Sequence, residues 1–291
     1  MTDMRERFYE LTREALDEND RVAVVTAQIG NDSIGEHPRH FDVGIREQLM
    51  IGVAAGLALE GHRPVAHSYT PFLVERPWEF LKLDLGHNDL GAVLVSTGAS
   101  YDAARSGRTH QAPEDVSLVA SLPGWTIHVP GHAAELESLF RQSLAGDDRV
   151  YIRMSEEENH ARVDGGAFTV LRHGSAGAPL VLAVGPALTP VLEATAGRDV
   201  SVAYLATVRP FPNDGVRDAL ADGTDVVLVE PYQVGTSASE IAVALRDRPH
   251  RLLALGVPNA EFRHYGAGAE HRAAHGLDAD GIARSLDEFR V

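Results

Sequence analysis

The chain has 291 residues, a formal net charge of −16 and 44% hydrophobic residues, enough apolar material for two cores of ordinary size. Its acidity argues against nucleic acid or an anionic membrane surface as a partner, because a polyanion would be repelled. There are no cysteines, so disulfides, thiolate nucleophiles and thiolate metal sites are excluded.

In chain order, Glu6 to Asn19 carries Phe8, Leu11, Ala15 and Leu16 at helical spacing. "RVAVVTAQIG" reads as a β-branched strand ending in a loop. Leu49 to Leu59 is uncharged and apolar, a helix too short to cross a bilayer, which needs about 20 residues. No charged-then-apolar leader is seen, and the expected location is the cytoplasm. Gly61 ends that helix, "RPVAHSY" is a strand, Phe72 to Leu85 a helical stretch and "GAVLVST" a strand. "SLVASLPGWTIHVP" gives a helix, a break and a strand; "GHAAELESLFRQSL" is an amphipathic helix and "RVYIRM" a strand. The polar stretch "SEEENHARVDGGAF" interrupts the rhythm and is the expected linker. Beyond it strands "PLVLAVG", "VSVAYLA", "DVVLVE" and "RLLALGV" alternate with helices from Leu188, Asp214 and Ser237, and an Asp-capped helix ends the chain. This alternation predicts an α/β fold of two domains, 1–160 and 161–291, each a mainly parallel sheet flanked by helices. The boundary falls near residues 158–167.

Three stretches carry candidate chemistry. In "HFDVGIREQLMIGVAAGLALEG", Gly44 as N-cap would make Glu47 the third helical residue, and spacing alone favours a capping role there. Against that, the following run has no polar face, which predicts burial all round. Gly52 and Gly56 suggest close approach by another backbone. A carboxylate leading into such a helix is desolvated, and desolvation makes it a proton carrier. Tyr69 and Phe72, three apart at a helix start, can share a face; alone they read as a core contact. In "RSGRTHQAPED", Gly107 frees a loop that crowds Thr109, His110 and Gln111 together. A lone loop histidine is usually a surface residue.

Taken together, "FDVGIREQLMIGVAAGLALEG", "TPFLVERPWE", "GRTHQAPED" and "LPGWTIHVP" resemble the pyrimidine-binding domain of the transketolase and deoxyxylulose-phosphate synthase family. "TVRPFPNDGVRDAL", "VVLVEPYQVGTSASEIAVAL", "LLALGVPNAEF" and "HGLDADGIARSL" resemble its C-terminal domain, so the likeness covers nearly the whole chain. It implies thiamine diphosphate as cofactor. Glu47 matches the family glutamate that bonds a pyrimidine ring nitrogen and promotes the imino tautomer, a proton exchange with a heterocycle rather than water. Tyr69 and Phe72 match the residues that hold the pyrimidine, and His110 the substrate-facing histidine. The family's diphosphate and divalent cation (Mg2+ or Ca2+) are held by a domain bearing "GDG", which is absent from this sequence. The resemblance therefore implies the C-terminal subunit of a split transketolase, with no metal ligands of its own. Its expected partner is an N-terminal subunit carrying "GDG", in an α2β2 heterotetramer.

The sequence departs from the family at its phosphate ligands. Ser106, between Arg105 and Arg108, stands where an Asp is usual; Glu156 stands at an Arg position and, on a weaker alignment, Asp32 at a Ser position. Position 75, often aromatic, Arg or small, is Glu. Anions at such positions repel a phosphate, which argues for a non-phosphorylated substrate; the alternative is that Arg153 or Arg108 takes the phosphate. Ketol transfer between a ketose and an aldehyde is the leading reading. Decarboxylation of a 2-oxo acid such as pyruvate with acyl transfer to an aldehyde is the runner-up. The β subunit of a 2-oxo-acid dehydrogenase, whose motif reads more like "HSQSPE", and a non-catalytic α/β partner are further alternatives.

Overall fold

The computed structural model describes residues 3–261 and 263–290. Its first half runs α1 (Met4–Glu18), β1 (Val22–Thr26), α2 (Asn31–Ile34), β2 (His40–Asp42), α3 (Glu47–Leu59), β3 (Arg63–Tyr69), α4 (Trp78–Phe80), β4 (Ala92–Thr97), α5 (Asp115–Ala120), β5 (Trp125–His128), α6 (Ala133–Ala145) and β6 (Arg149–Arg153). After an irregular stretch come β7 (Phe168–Arg172), β8 (Leu180–Val184), α7 (Leu188–Ala194), β9 (Ser201–Leu205), β10 (Thr207–Arg209), α8 (Asn213–Leu220), β11 (Asp225–Gln233), α9 (Ala238–Ala244), β12 (Arg251–Val257), α10 (Gly268–Ala274) and α11 (Ala279–Phe289). Asp3 and Asp278 cap α1 and α11 through side-chain bonds to Glu6 and Gly281.

Two sheets result, ordered β10-β5-β6-β4-β3-β1-β2 and β12-β11-β8-β9-β7. All pairings are parallel except β10 on β5 and β7 on β9. β1, β4 and β8 are buried along their whole length, as expected of parallel strands covered on both faces, and hence their unbroken Val/Ala/Leu runs. β2, β7, β10, α2 and α10 are not foreseen from the sequence. They are short or lie at sheet edges, where half-exposed residues leave no apolar run to read.

The two halves interlock. β10 comes from the second half yet pairs with β5 of the first, Thr207 opposite His128 and Arg209 opposite Ile127. One apolar cluster joins Met50, Leu73 and Leu94 of the first half to Leu182, Leu205 and Leu228 of the second. Residues 154–167 hold no helix or strand, but Asn159 pins them. Its N–H donates to the Gly131 carbonyl (2.7 Å), its amide donates to the Gly185 carbonyl (3.0 Å), and its side-chain oxygen accepts from the Thr189 N–H (3.0 Å).

Two local expectations are corrected. The 72–85 stretch is not one α-helix: wide turns over Pro71–Glu75 and Leu81–His87 flank the short α4, with the Arg76 N–H bonded to the Pro71 carbonyl five residues back. Pro77 lacks an N–H to continue the ladder. Nor is α3 buried all round: Leu49 and Leu59 are exposed, and a Cβ added at Gly56 would meet nothing within 4 Å.

Candidate active site

The carboxyl ends of β3 and β4 carry Tyr69 and the turn at Gly98, and the start of α3 lies on the neighbouring β1 side. Ligands of parallel α/β sheets bind at such strand ends. Glu47 is the first residue of α3, not the third: Arg46 is the N-cap, and Gly44, at φ +68°, lies outside the helix. No side-chain capping bond is made here. Glu47 is 2% exposed, and its Oε2 accepts from Nη1 of Arg76 at 2.7 Å. The Arg76 guanidinium lies 4.3 Å from the Phe72 ring centroid, a cation–π contact.

Three rings meet beside this pair. Tyr69 and Phe72 are 6.2 Å apart, and His110 lies 5.5 Å from Tyr69 and 5.0 Å from Phe72, all edge to face. A Cβ at Gly98 (φ +71°) would sit 2.5 Å from the Tyr69 ring, so only glycine leaves that ring its place. Thr109 Oγ1 donates to the Ser106 carbonyl (3.3 Å) and lies 2.9 Å from His110 Nδ1. A hydroxyl has one proton, so it accepts from Nδ1–H, leaving Nε2 of His110 as the free lone pair. Gln111, next in the chain, is 1% exposed, and neither end of its amide has a partner among the described residues. Such an orphaned amide is costly unless a ligand or water meets it.

The loop bearing His110 is anchored at both ends. The Ala112 N–H donates to the Ser100 carbonyl (3.0 Å), and Ser100 Oγ donates to the Pro231 carbonyl of the second half (2.6 Å). Arg153 donates to Ser100 Oγ (2.5 Å) and to Asp115 Oδ2 (2.8 Å). It is wholly buried, which removes it as a surface phosphate ligand. Arg108 is also engaged, with Glu114 (2.6 Å) and the Gln111 carbonyl (2.5 Å), and Glu261 lies 3.9 Å from its Nε. Burial and then the Glu114 carboxylate push the Glu75 carboxyl up to about 7, against the pull of Arg108. Tyr265 of the second half lies over Gly107.

Ser106 is exposed on the same loop. Glu156 lines a separate cleft with Asp3, Arg7 and His132; its N–H donates to Asp102 (2.9 Å) and burial raises its carboxyl. Asp32 lines another with His37, His40 and Asp42. Among the described residues no hydrogen bond or ion pair joins Glu156 or Asp32 to Glu47, Tyr69, Phe72 or His110. Sequence reading missed Arg76 and Arg5, whose guanidinium lies 5.5 Å from the Tyr69 ring and donates to Tyr9 (2.9 Å). It missed His67 too, which burial drives down to about 3, keeping it neutral, with its Nδ1–H on the Val95 carbonyl (2.8 Å). Arg5 and His67 stand in no motif; Arg76 lies within "TPFLVERPWE", but nothing in that stretch pairs it with Glu47, 29 residues earlier.

The buried carboxylate, the aromatic trio and the unpaired amide fit the pyrimidine half of thiamine diphosphate. For the diphosphate half, no group of His, Asp and Glu among the described residues could hold a metal ion. A family model described as "Transketolase, pyrimidine binding domain" matches residues 2–160. The chain belongs to the transketolase family. An uncharacterized 33.6 kDa protein in the fasciation locus of Rhodococcoides fascians is 47% identical, covering 99% of this chain and 95% of that protein. The 6-deoxy-6-sulfo-D-fructose transketolase subunit SqwH of Clostridium sp. (strain MSTE9) is 31% identical, over 98% of this chain and 94% of the relative. A solved structure described as a split gene transketolase, inactive beta4 tetramer, superposes with a TM-score of 0.83 at 24% identity. It covers 98% of this chain and 97% of that one, and it shows the shared transketolase fold. No described helix is long and apolar enough to cross a membrane.

Proposed function

We propose that this chain is the pyrimidine-binding subunit of a two-subunit, thiamine diphosphate-dependent transketolase of the cytoplasm, which moves a two-carbon ketol unit from a ketose to an aldehyde. The observation that carries the reading is Glu47, a carboxylate almost wholly out of water, joined through Arg76 to Phe72, whose ring meets Tyr69 and His110. Thiamine diphosphate, when bound, would supply a nucleophilic ring carbon. Glu47 holds and returns a proton at a pyrimidine ring nitrogen, in a pocket dry enough that the proton does not exchange freely with solvent. Tyr69 and Phe72 fix the pyrimidine by ring contact. His110 offers Nε2 to a substrate hydroxyl, accepting its proton and then donating to the oxygen that develops charge.

The partner supplies the diphosphate and Mg2+ (or Ca2+) ligands. Support for it is the exposed apolar stripe of Ile45, Leu49 and Leu59, beside the uncovered Gly56, a face suited to a second polypeptide in an α2β2 assembly. The substrate lacks a terminal phosphate: Arg108 is already bound to Glu114, and Glu75 and Glu261 stand near it, with Glu156 further off. The test is deuterium exchange at the thiazolium carbon in the complex reconstituted with a "GDG" subunit. Wild type should exchange fast and Glu47→Gln at least 10²-fold more slowly, roughly the loss expected for acid–base catalysis. Equal rates would return Glu47 to a structural role.

A further inference from the structure

Arg76 makes two contacts at once. Its flat guanidinium lies over Phe72 at 4.3 Å and puts a nitrogen on the Glu47 carboxylate at 2.7 Å. These are the two partners assigned above to the pyrimidine, which is also a flat group with a ring nitrogen to offer. We infer that Arg76 is an internal stand-in for the pyrimidine, and that cofactor uptake exchanges one for the other; this rests on the proposed role of Glu47 and Phe72.

The local chain is built for such an exchange. Arg76 follows the wide turn Pro71–Glu75, whose five-residue step ends on its own N–H. Its carbonyl is held by Nε2 of Gln48, at the start of α3, at 3.3 Å. The backbone is thus tied at the mouth while the side chain, 40% exposed, has solvent to swing into. A buried carboxylate without a partner is strongly destabilising, and Arg76 relieves that whenever the pyrimidine is out. The arrangement also sets a threshold: a ligand that must displace a fitted group binds more weakly by the fraction of time the seat is open.

The experiment uses the full chain and the bare aminopyrimidine 4-amino-5-hydroxymethyl-2-methylpyrimidine as probe, followed by calorimetry and ligand-observed NMR. The probe has no diphosphate, so the partner's ligands are not needed. Arg76→Ala should bind it about tenfold more tightly than wild type, the scale of one cation–π contact plus a partly exposed ion pair. Arg76→Lys, which keeps the charge but not the flat face, should fall between, and serves if the alanine variant folds poorly. Adding Glu47→Gln to Arg76→Ala should abolish the gain. Unchanged, weaker or undetectable binding in both Arg76 variants overturns the exchange. A gain that survives Glu47→Gln overturns instead the assignment of Glu47 to the pyrimidine.

Discussion

Arg153→Met tests what holds the His110 loop in place. Burial is the largest influence on the Arg153 guanidinium and works against its charge, but the Asp115 carboxylate, with Tyr151 and Asp102 behind it, holds the group above its ordinary value. Asp115 Oδ2 takes Nε of Arg153 at 2.8 Å and the Tyr151 hydroxyl at 2.6 Å, while Oδ1 is buried without a partner. Methionine fills much of the same volume but leaves the carboxylate with one neutral donor in a dry site. Breaking a buried pair this way costs about 3–5 kcal/mol. The upper part of that range is expected, since the bond to Ser100 and the stacking over Tyr232 at 5.4 Å go too. For a chain this size the melting temperature should fall by roughly 10 °C. Removing both charges, Arg153→Met with Asp115→Leu, leaves no orphan and should recover most of the loss. Urea unfolding of wild type, Arg153→Met, Asp115→Leu and the double variant completes the cycle. A loss below about 1 kcal/mol in the single variant, or a double variant no better than the single, would refute the reasoning.

Gly107→Ala puts a Cβ 2.6 Å from the Tyr265 ring at a backbone of φ +72°, ψ −165°, a region essentially reserved for glycine; stability should fall by about 1–3 kcal/mol in a denaturant titration, and Tyr265→Ala should restore only part of it. Burial pushes the Glu230 carboxyl up to about 7. Between the unfolded value near ~4.3 and that point the folded chain keeps a proton the unfolded chain has released, so stability declines as pH rises through this window. Glu230→Gln, neutral throughout, should lose less than wild type between about pH 5 and pH 8, by on the order of 2 kcal/mol; parallel curves would count against it. In the reconstituted enzyme, acceptors without a terminal phosphate should have kcat/KM at least equal to their phosphorylated counterparts. A preference near ~10²-fold, about 2.7 kcal/mol, for the phosphate would overturn the charge argument.

The parallel strands were legible because each is a buried apolar run between turn residues. Tyr69 and Phe72, read from one stretch, and His110, read from another, do meet as a cluster of rings. What was hidden depends on contacts that no local pattern encodes. The register of α3 shifts by two residues because the backbone at Gly44 turns to positive φ. The Glu47–Arg76 pair needs the wide turn after Pro71, where α-helical spacing does not apply. An all-apolar helix predicts burial all round without saying which of its faces this chain leaves open, so exposed Leu49 and Leu59 could not be anticipated. β10 has three residues, too few for any period.

β10 also bears on how such proteins can be recombined. The outer rim of the first sheet is not finished until residue 209 has been laid down. A cassette cut near residue 160 would leave the β5 side of that sheet with unsatisfied N–H and C=O groups, a template for sticking to its neighbours. A chimera that keeps this first half and borrows a second half from a relative must therefore bring a matching strand with it, in register with Ile127 and His128.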